Sequence, residues 1–286
     1  MSDFKITSTD IAGFQKTKEF LICVDSDGCA VDSMNVKHFK CFGPLMIKEW
    51  GLYAREDEIL SIWNEINLYK RTRGVNRFKG LALTLREVNE KFHPIAEIGH
   101  LLLWCERGGK LSNDALRQEI ANNPDVEIFK KALFWSTEVN RVAEQLGEKE
   151  MPAFDGVREG LEKAHEFADI AVVSGADPDS LVREWGRLGL TEHVDLILAQ
   201  NAGSKNHCIG ELLKKGYLPQ RVLMCGDAPG DLEAAEDNGV FFFPVLVRKE
   251  KESWEEFHSA CKKLREGEYL LYGARKKTEF LNNLEK

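Results

Sequence analysis

The sequence predicts an α/β protein with a Rossmann-like parallel sheet that is interrupted by an all-helical insertion. Five short runs of apolar, β-branched or aromatic residues indicate strands buried on both faces. Amphipathic helical segments separate the later runs, and such alternation is typical of parallel sheets with right-handed crossovers. Helical periodicity without a strand pattern follows the first run, so the sheet is predicted to be split in sequence.

The predicted strands are, in chain order, residues 20–24, 169–173, 194–198, 221–225 and 240–246. Helix-start signals follow three of them: Asp177 with Pro178, then Ser204, and then Asp231, whose helix Gly239 closes. The pattern therefore predicts one helix after each of the second, third and fourth strands.

The insertion is predicted to span residues 34–152, which leaves residues 1–33 and 153–286 for the core. The stretch "REDEILSIWNEINLYKR" places most of its apolar residues on one helical face, and "DVEIFKKALFWSTEVNRVAEQL" repeats the pattern. Residues 148–157, polar and then containing proline and glycine, indicate the linker back to the core.

Composition excludes several classes of function. The 286 residues carry a formal net charge of -8, so neither nucleic acid nor an anionic membrane is an expected partner. The first residues lack the pattern of a signal peptide, and the seven cysteines form no CxxC pair. We therefore expect a cytoplasmic protein with reduced thiols, and its oligomeric state stays open.

Polar side chains follow three of the predicted strands. Asp25 and Asp27 follow the first in the pattern D-x-D-G, Ser174 follows the second, and Asp227 and Asp231 follow the fourth. Ligands of open parallel sheets bind beyond the carboxyl ends of the strands, so these side chains are expected to gather at one edge. Clustered carboxylates need a cation, and Mg²⁺ prefers oxygen ligands together with a substrate phosphate.

The motifs "VDSDG" (24–28), "VVSGA" (172–176), Lys205 in "GSKNH" and "CGDAPGD" (225–231) occur in an order that resembles the haloacid dehalogenase-like (HAD) superfamily. The insertion lies where that family has its C1 cap. The resemblance implies a HAD core carrying a helical cap domain, and a Mg²⁺-dependent phosphatase that hydrolyses a small phosphorylated metabolite.

The resemblance also implies roles for individual residues. Asp25 would be the nucleophile that forms an aspartyl-phosphate, and Asp27 the general acid and base. Mg²⁺ would be held by the Asp25 carboxylate, the Asp27 main-chain carbonyl and Asp227, with Asp231 a ligand or an indirect partner. Ser174, Gly175 and Lys205 would bind the phosphoryl group; Lys205 is preferred to Lys214 and Lys215 because it lies at a helix N-terminus.

Other functions remain open at this point. Asp27 favours phosphate ester hydrolysis or phosphomutase chemistry, because phosphonatase and dehalogenase relatives usually lack that carboxylate. A sugar-phosphate phosphomutase, a phosphonatase-like hydrolase and a non-catalytic phosphate- or metal-binding regulator are the alternatives. A receiver domain fits poorly because of the long insertion. Cys29 stands where relatives often have threonine, and Asp32 is expected to lie in the linker toward the cap.

A basic stretch, "NLYKRTRGVNRFKG" (67–80), reverses the acidic character of the chain locally. Arg73 and Arg77 are candidates for contacts with the leaving group of the substrate. The alternative is a solvated helix terminus whose charges complement the helix dipole.

Overall fold

The computed structural model describes residues 9–146 and 150–285. The chain divides into two compact units. The core unit comprises Met1–Met34 and Met151–Lys286, and the helical unit comprises Asn35–Glu150. Residues 148 and 149 of the predicted linker lie outside the described residues.

The core unit is built on one parallel sheet, which confirms the predicted fold class. Its five strands are β1 Phe20–Val24, β2 Ala168–Val173, β3 Leu196–Leu198, β4 Val222–Gly226 and β5 Phe241–Pro244. Their order is β3-β2-β1-β4-β5, and every adjacent pair is parallel. The strand nearest the predicted nucleophile, β1, is therefore central, with β2 and β4 on its two sides.

Two strands are shorter than predicted. β3 begins only at Leu196, because the Asp195 carboxylate accepts the N–H of Ile170 at 2.8 Å and ties the chain to β2 before the ladder starts. β5 ends at Pro244, and the N–H of Val245 makes one further bond to the carbonyl of Gly226 at 2.8 Å.

The helices of the core unit are α8 Val157–His165, α9 Pro178–Arg187, α10 Lys205–Leu213, α11 Pro229–Asp237, α12 Glu250–Glu266 and α13 Tyr269–Asn283. Asp177 and Ser204 cap α9 and α10 as predicted, accepting the N–H groups of Ser180 and His207. The prediction that Asp231 opens its helix was wrong. Pro229 begins α11 because proline is favoured in the first turn, and Asp231 lies two residues further along.

The helical unit contains no strand in its described part. Its helices, with the short α1 that precedes it, are α1 Ser33–Lys37, α2 Gly43–Trp50, α3 Glu56–Asn64, α4 Arg77–Lys91, α5 Ile98–Glu106, α6 Asn113–Asn122 and α7 Glu127–Glu144. Trp63 and Trp135 lie at the centre of its core, with ring centroids 5.9 Å apart. The apolar faces read from the sequence thus form a separate hydrophobic core.

The two chain segments that lead into and out of the helical unit pair with each other inside the core unit. The N–H of Asp32 donates to the carbonyl of Pro152 at 2.9 Å, and the N–H of Phe154 donates to the carbonyl of Ala30 at 3.0 Å. Val31 and Ala153 form an antiparallel bridge between these bonds. We call residues 30–32 with 152–154 the crossing ladder.

None of the helices among the described residues combines the length and the apolar character needed to cross a bilayer.

Candidate active site

Asp25 lies directly beyond β1 at the carboxyl edge of the sheet. Its N–H donates to the carbonyl of Cys225 at 3.0 Å, which extends the pairing of β1 with β4 by one residue. Only 8% of its side-chain surface is exposed. The backbone of Asp25 is thus fixed by the sheet, and its carboxylate lies in a largely buried setting.

The loop after Asp25 is tightly folded on itself. The carbonyl of Ser26 accepts the N–H groups of Ala30 and Val31 at 3.0 and 2.9 Å, and the N–H of Gly28 donates to the carbonyl of Val31 at 2.8 Å. Gly28 has φ 82°, a conformation that side chains other than glycine rarely adopt. The turn that follows Asp25 and contains Asp27 therefore requires the glycine of the D-x-D-G pattern.

Asp27 has a partner that the sequence did not suggest. The hydroxyl of Ser33, which is fully buried, donates a hydrogen bond to Asp27 Oδ1. Ser33 lies at the start of α1, just beyond the crossing ladder. The only signal in the sequence is a serine eight residues after the first aspartate, which is too weak to be singled out without the structure.

Asp227 and Asp231 come together where β4 passes into α11. The Asp231 carboxylate turns back and accepts the N–H groups of Asp227 and Ala228 through Oδ2, at 3.1 and 3.0 Å. A Cβ on Gly226 would lie only 2.4 Å from Asp231 Cβ and Cγ. Glycine at position 226 therefore leaves the space that the buried Asp231 side chain occupies.

Lys205, the first residue of α10, also reaches the aspartates. Its ammonium group forms an ion pair with Asp25 Oδ2 at 2.9 Å and donates to Asp231 Oδ1. Lys214 instead pairs with Glu211, and Lys215 donates to the carbonyl of Ala12. Of the three lysines weighed from the sequence, the structure brings Lys205 to the aspartates.

Ser174 and Gly175 lie beyond β2, next to β1 in the sheet. The N–H of Ser174 donates to the carbonyl of Leu198 at 2.9 Å, and its Oγ accepts the N–H of Ala176 at 3.2 Å. Ser174 is buried, whereas Gly175 is exposed and a Cβ there would meet no atom within 4 Å. The carboxyl edges of β1, β2 and β4 thus carry the candidate groups for phosphate and metal binding, except Lys205 and Asp231, which lie in the first turns of α10 and α11.

The charges of this cluster fit a divalent cation. Asp25, Asp227 and Asp231 are buried, and each offers a carboxylate oxygen within 4.8 Å of the others. With Lys205 as a cation among them, the ionised groups carry a formal charge of −2. Buried carboxylates of this density favour a hard cation with oxygen ligands, and Mg²⁺ has these preferences.

The pKa values of Asp25 and Lys205 reflect the same excess of negative charge. Burial raises the pKa of the Asp25 carboxyl well above its usual range; Lys205 lowers it, and Asp231 and Asp227 raise it again. Burial alone would lower the pKa of Lys205, but Asp231 and Asp25 raise it overall. Lys205 therefore stays protonated. Its charge does not fully offset the effect of burial on Asp25, because the pKa of that carboxyl remains raised.

Cys29 and Asp32, the remaining residues of the opening motif, have structural contacts. Cys29 is fully buried, with its Sγ 3.9 Å from that of Cys225, and burial raises the pKa of its thiol. All seven cysteines are free, as predicted. Asp32 takes part in the crossing ladder through its N–H.

The two arginines proposed for substrate contacts have partners inside the helical unit. Arg73 is buried and donates to the carbonyl of Leu68 at 2.8 Å. Arg77 donates to Asn140 Oδ1 at 2.6 Å and lies over the ring of Phe42. A role for either in selectivity stays a prediction.

One family model matches part of the chain. Residues 108–245 match the family model described as haloacid dehalogenase-like hydrolase. This segment contains Ser174, Lys205, Asp227 and Asp231, whereas Asp25 and Asp27 precede it. No curated protein matches the sequence.

Solved structures with related architecture were also found. A haloacid dehalogenase-like family hydrolase from Streptococcus pneumoniae has 16% identity and a TM-score of 0.46, with 79% of this chain and 83% of that chain covered. A predicted phosphoglycolate phosphatase from Haemophilus somnus has 15% identity and a TM-score of 0.44, with coverages of 80% and 85%. L-2-haloacid dehalogenase from Xanthobacter autotrophicus has 15% identity and a TM-score of 0.40, with coverages of 84% and 82%.

These likenesses are too distant to carry an argument about chemistry. The family match stands on its own, and the parallel sheet agrees with it. Residues 108–245 of the chain therefore match the haloacid dehalogenase-like hydrolase family.

Proposed function

We propose that the protein is a Mg²⁺-dependent phosphomonoesterase that hydrolyses a small phosphorylated metabolite through an aspartyl-phosphate on Asp25. The observation that carries the proposal is the cluster of three buried carboxylates, two of which, Asp25 and Asp231, pair with Lys205. A site with this charge favours a dianionic phosphate only together with a metal cation, which supplies positive charge to the phosphoryl oxygens when bound. Asp25, Asp227 and the Asp27 main-chain carbonyl would hold the metal.

Asp231 is proposed to act indirectly. One of its oxygens accepts from Lys205, and the other accepts from two backbone N–H groups. These bonds favour a role in orienting Lys205 and the loop of Asp227 over direct coordination of the cation.

In the first half of the reaction, an oxygen of Asp25 forms a bond to phosphorus as the bond from phosphorus to the leaving oxygen breaks. Asp27 gives its proton to that oxygen, so that an alcohol leaves. In the second half, Asp27 takes a proton from water, the water oxygen bonds to phosphorus, and the bond to Asp25 breaks. Lys205, the hydroxyl of Ser174 and the N–H of Gly175 would bind the phosphoryl oxygens.

Asp27 favours phosphate ester hydrolysis over dehalogenation or phosphonate cleavage. An alkoxide leaving group needs a proton, and Asp27, held by Ser33, is a carboxyl group placed two residues from the nucleophile. A phosphomutase would use the same pair of aspartates, so the fate of the phosphoryl group distinguishes the two reactions. The proposal is for a cytoplasmic enzyme, which the free thiols support, because a reducing compartment keeps cysteines unpaired.

The test measures phosphate release from p-nitrophenyl phosphate with Mg²⁺ and after chelation by EDTA. Wild-type protein is expected to release phosphate only with the metal, and Asp25→Asn is expected to abolish turnover. Asp179→Asn, at an exposed position in α9, is the matched control and should keep full activity. Acid quenching should trap a hydroxylamine-sensitive acyl phosphate in wild type only.

Two results would reject the proposal. Metal-dependent turnover by Asp25→Asn would show that Asp25 is not the nucleophile. If folded, metal-bound wild-type protein hydrolysed none of a panel of phosphorylated metabolites, a regulatory binding protein would be favoured instead. Return of the phosphoryl group to another hydroxyl of a sugar, without release of phosphate, would identify a phosphomutase.

A further inference from the structure

Two buried tryptophans hold the loop that carries Asp25 and Asp27. The indole N–H of Trp185, in α9, donates to Ser26 Oγ at 2.9 Å. The indole N–H of Trp254, in α12, donates to the carbonyl of Cys29, also at 2.9 Å. These bonds join residues 159 and 225 positions apart in sequence, so two distant parts of the chain hold the same loop.

Ser26 is the residue between the two proposed catalytic carboxylates, and it is fully buried. Its carbonyl accepts the N–H groups of Ala30 and Val31 in the turn that contains Gly28, and its hydroxyl oxygen accepts the indole N–H of Trp185. An indole N–H is a donor only, and its ring allows little torsional freedom when buried. The bond therefore fixes the residue whose neighbours on either side are Asp25 and Asp27.

The core is shaped around both indoles. Trp185 and Trp254 are 0% and 2% exposed, and both belong to the cluster that includes Val24 and Ala30. A Cβ on Gly160 would lie 3.0 Å from the ring of Trp254, so this helix of the core unit has a glycine where the indole packs. Displacement of either ring would require the surrounding core to move.

We propose that Trp185 is a positioning residue that acts through Ser26 to fix the relative placement of Asp25 and Asp27, with Trp254 as a second anchor of the same loop. This inference rests on the proposed function. The two indoles would then serve the reaction as well as the packing of the core. Transfer of the phosphoryl group and of the proton requires that Asp25 and Asp27 are both correctly placed relative to one substrate molecule.

The experiment compares Trp185→Phe, Ser26→Ala and the double variant, assayed with p-nitrophenyl phosphate and Mg²⁺. Each single substitution removes the same hydrogen bond from one side. We expect kcat to fall about ten- to a hundredfold in each single variant, with KM changed by less than about threefold. The double variant should lose no more than the larger single loss, because the bond is already absent.

Tyr269→Phe is the matched control. The buried hydroxyl of Tyr269 donates to the carbonyl of Phe242 at 2.9 Å, so this change also removes one buried bond from the core unit while keeping an aromatic ring. It should leave kcat unchanged. Circular dichroism and thermal unfolding report the folded fraction, and Ser26→Ala carries the test if Trp185→Phe does not fold.

Three outcomes would overturn the positioning role while the phosphatase proposal stands. They are a wild-type kcat in the folded single variants, losses of kcat that multiply in the double variant, and an equal loss of kcat in Tyr269→Phe. Absence of phosphate release by wild-type protein would instead reject the proposed function, and the positioning role with it.

Discussion

Replacing Gly226 by alanine should disable the site although it substitutes none of the residues proposed to take part in the reaction. A Cβ at this position would lie 2.4 Å from Asp231 Cβ and Cγ and 2.5 Å from Asp231 Oδ2. Ordinary van der Waals contact begins near 3.4 Å, so Asp231 or the end of β4 must move by about 1 Å. The atoms in the way belong to a buried side chain held by three donors, which cannot swing away freely.

The size of the effect follows from that displacement. The bonds from the N–H groups of Asp227 and Ala228 to Asp231 are 3.1 and 3.0 Å long, and an added 1 Å would break them. Overpacking of this kind costs about 1–3 kcal/mol of folding free energy. A misplacement of about 1 Å at a catalytic cluster lowers the rate by about a hundredfold.

The assay measures kcat with p-nitrophenyl phosphate and the free energy of unfolding in urea. Gly230→Ala is the matched control, since it lies four residues away in α11, where a Cβ meets nothing within 4 Å. It should keep wild-type kcat and stability within about 1 kcal/mol of wild type. A Gly226→Ala protein with wild-type kcat would refute the claim that this glycine maintains the position of Asp231.

Three further predictions concern the same unit. Ser33→Ala removes the donor to Asp27 and should lower kcat by about tenfold for an alkyl phosphate, but less for p-nitrophenyl phosphate, whose leaving group needs little proton transfer; equal losses would contradict the link to the proton donor. Mg²⁺ at about a hundred times its Kd should stabilise wild-type protein by about 2.7 kcal/mol in urea unfolding, and Asp227→Asn should lose most of this gain; an unchanged gain would exclude Asp227 as a ligand. Cys29 and Cys225 are buried, so a thiol reagent should label them only after unfolding, as peptide mass spectrometry would show; rapid labelling of native protein would contradict their burial.

The sheet could be predicted because its signal is local. A strand buried on both faces is apolar along most of its length, and β1, β2 and β4, of five or six residues each, meet this condition with Asp169 of β2 as the charged exception. Asp25, Ser174 and Asp227 follow those strands directly, so the parallel arrangement alone brings them to one edge.

The supporting contacts could not be predicted, because their signal is not local. Trp185 and Trp254 reach the loop from helices far along the chain, and nothing in their neighbourhoods distinguishes them from other core tryptophans. The same limit explains the error at Asp231. Its sequence context suggested a helix cap, but its side chain serves Lys205 and the backbone before α11.

The crossing ladder has a consequence for how such a chain can diversify. Its hydrogen bonds hold residues 30–32 beside residues 152–154, so the helical unit is, in topological terms, one long loop whose ends are already closed. Closure entropy grows slowly with length, by about 0.6 kcal/mol for each doubling of a flexible loop. Insertions of very different size and sequence can therefore replace one another here as interchangeable modules, while the carboxyl edge of the sheet keeps its geometry.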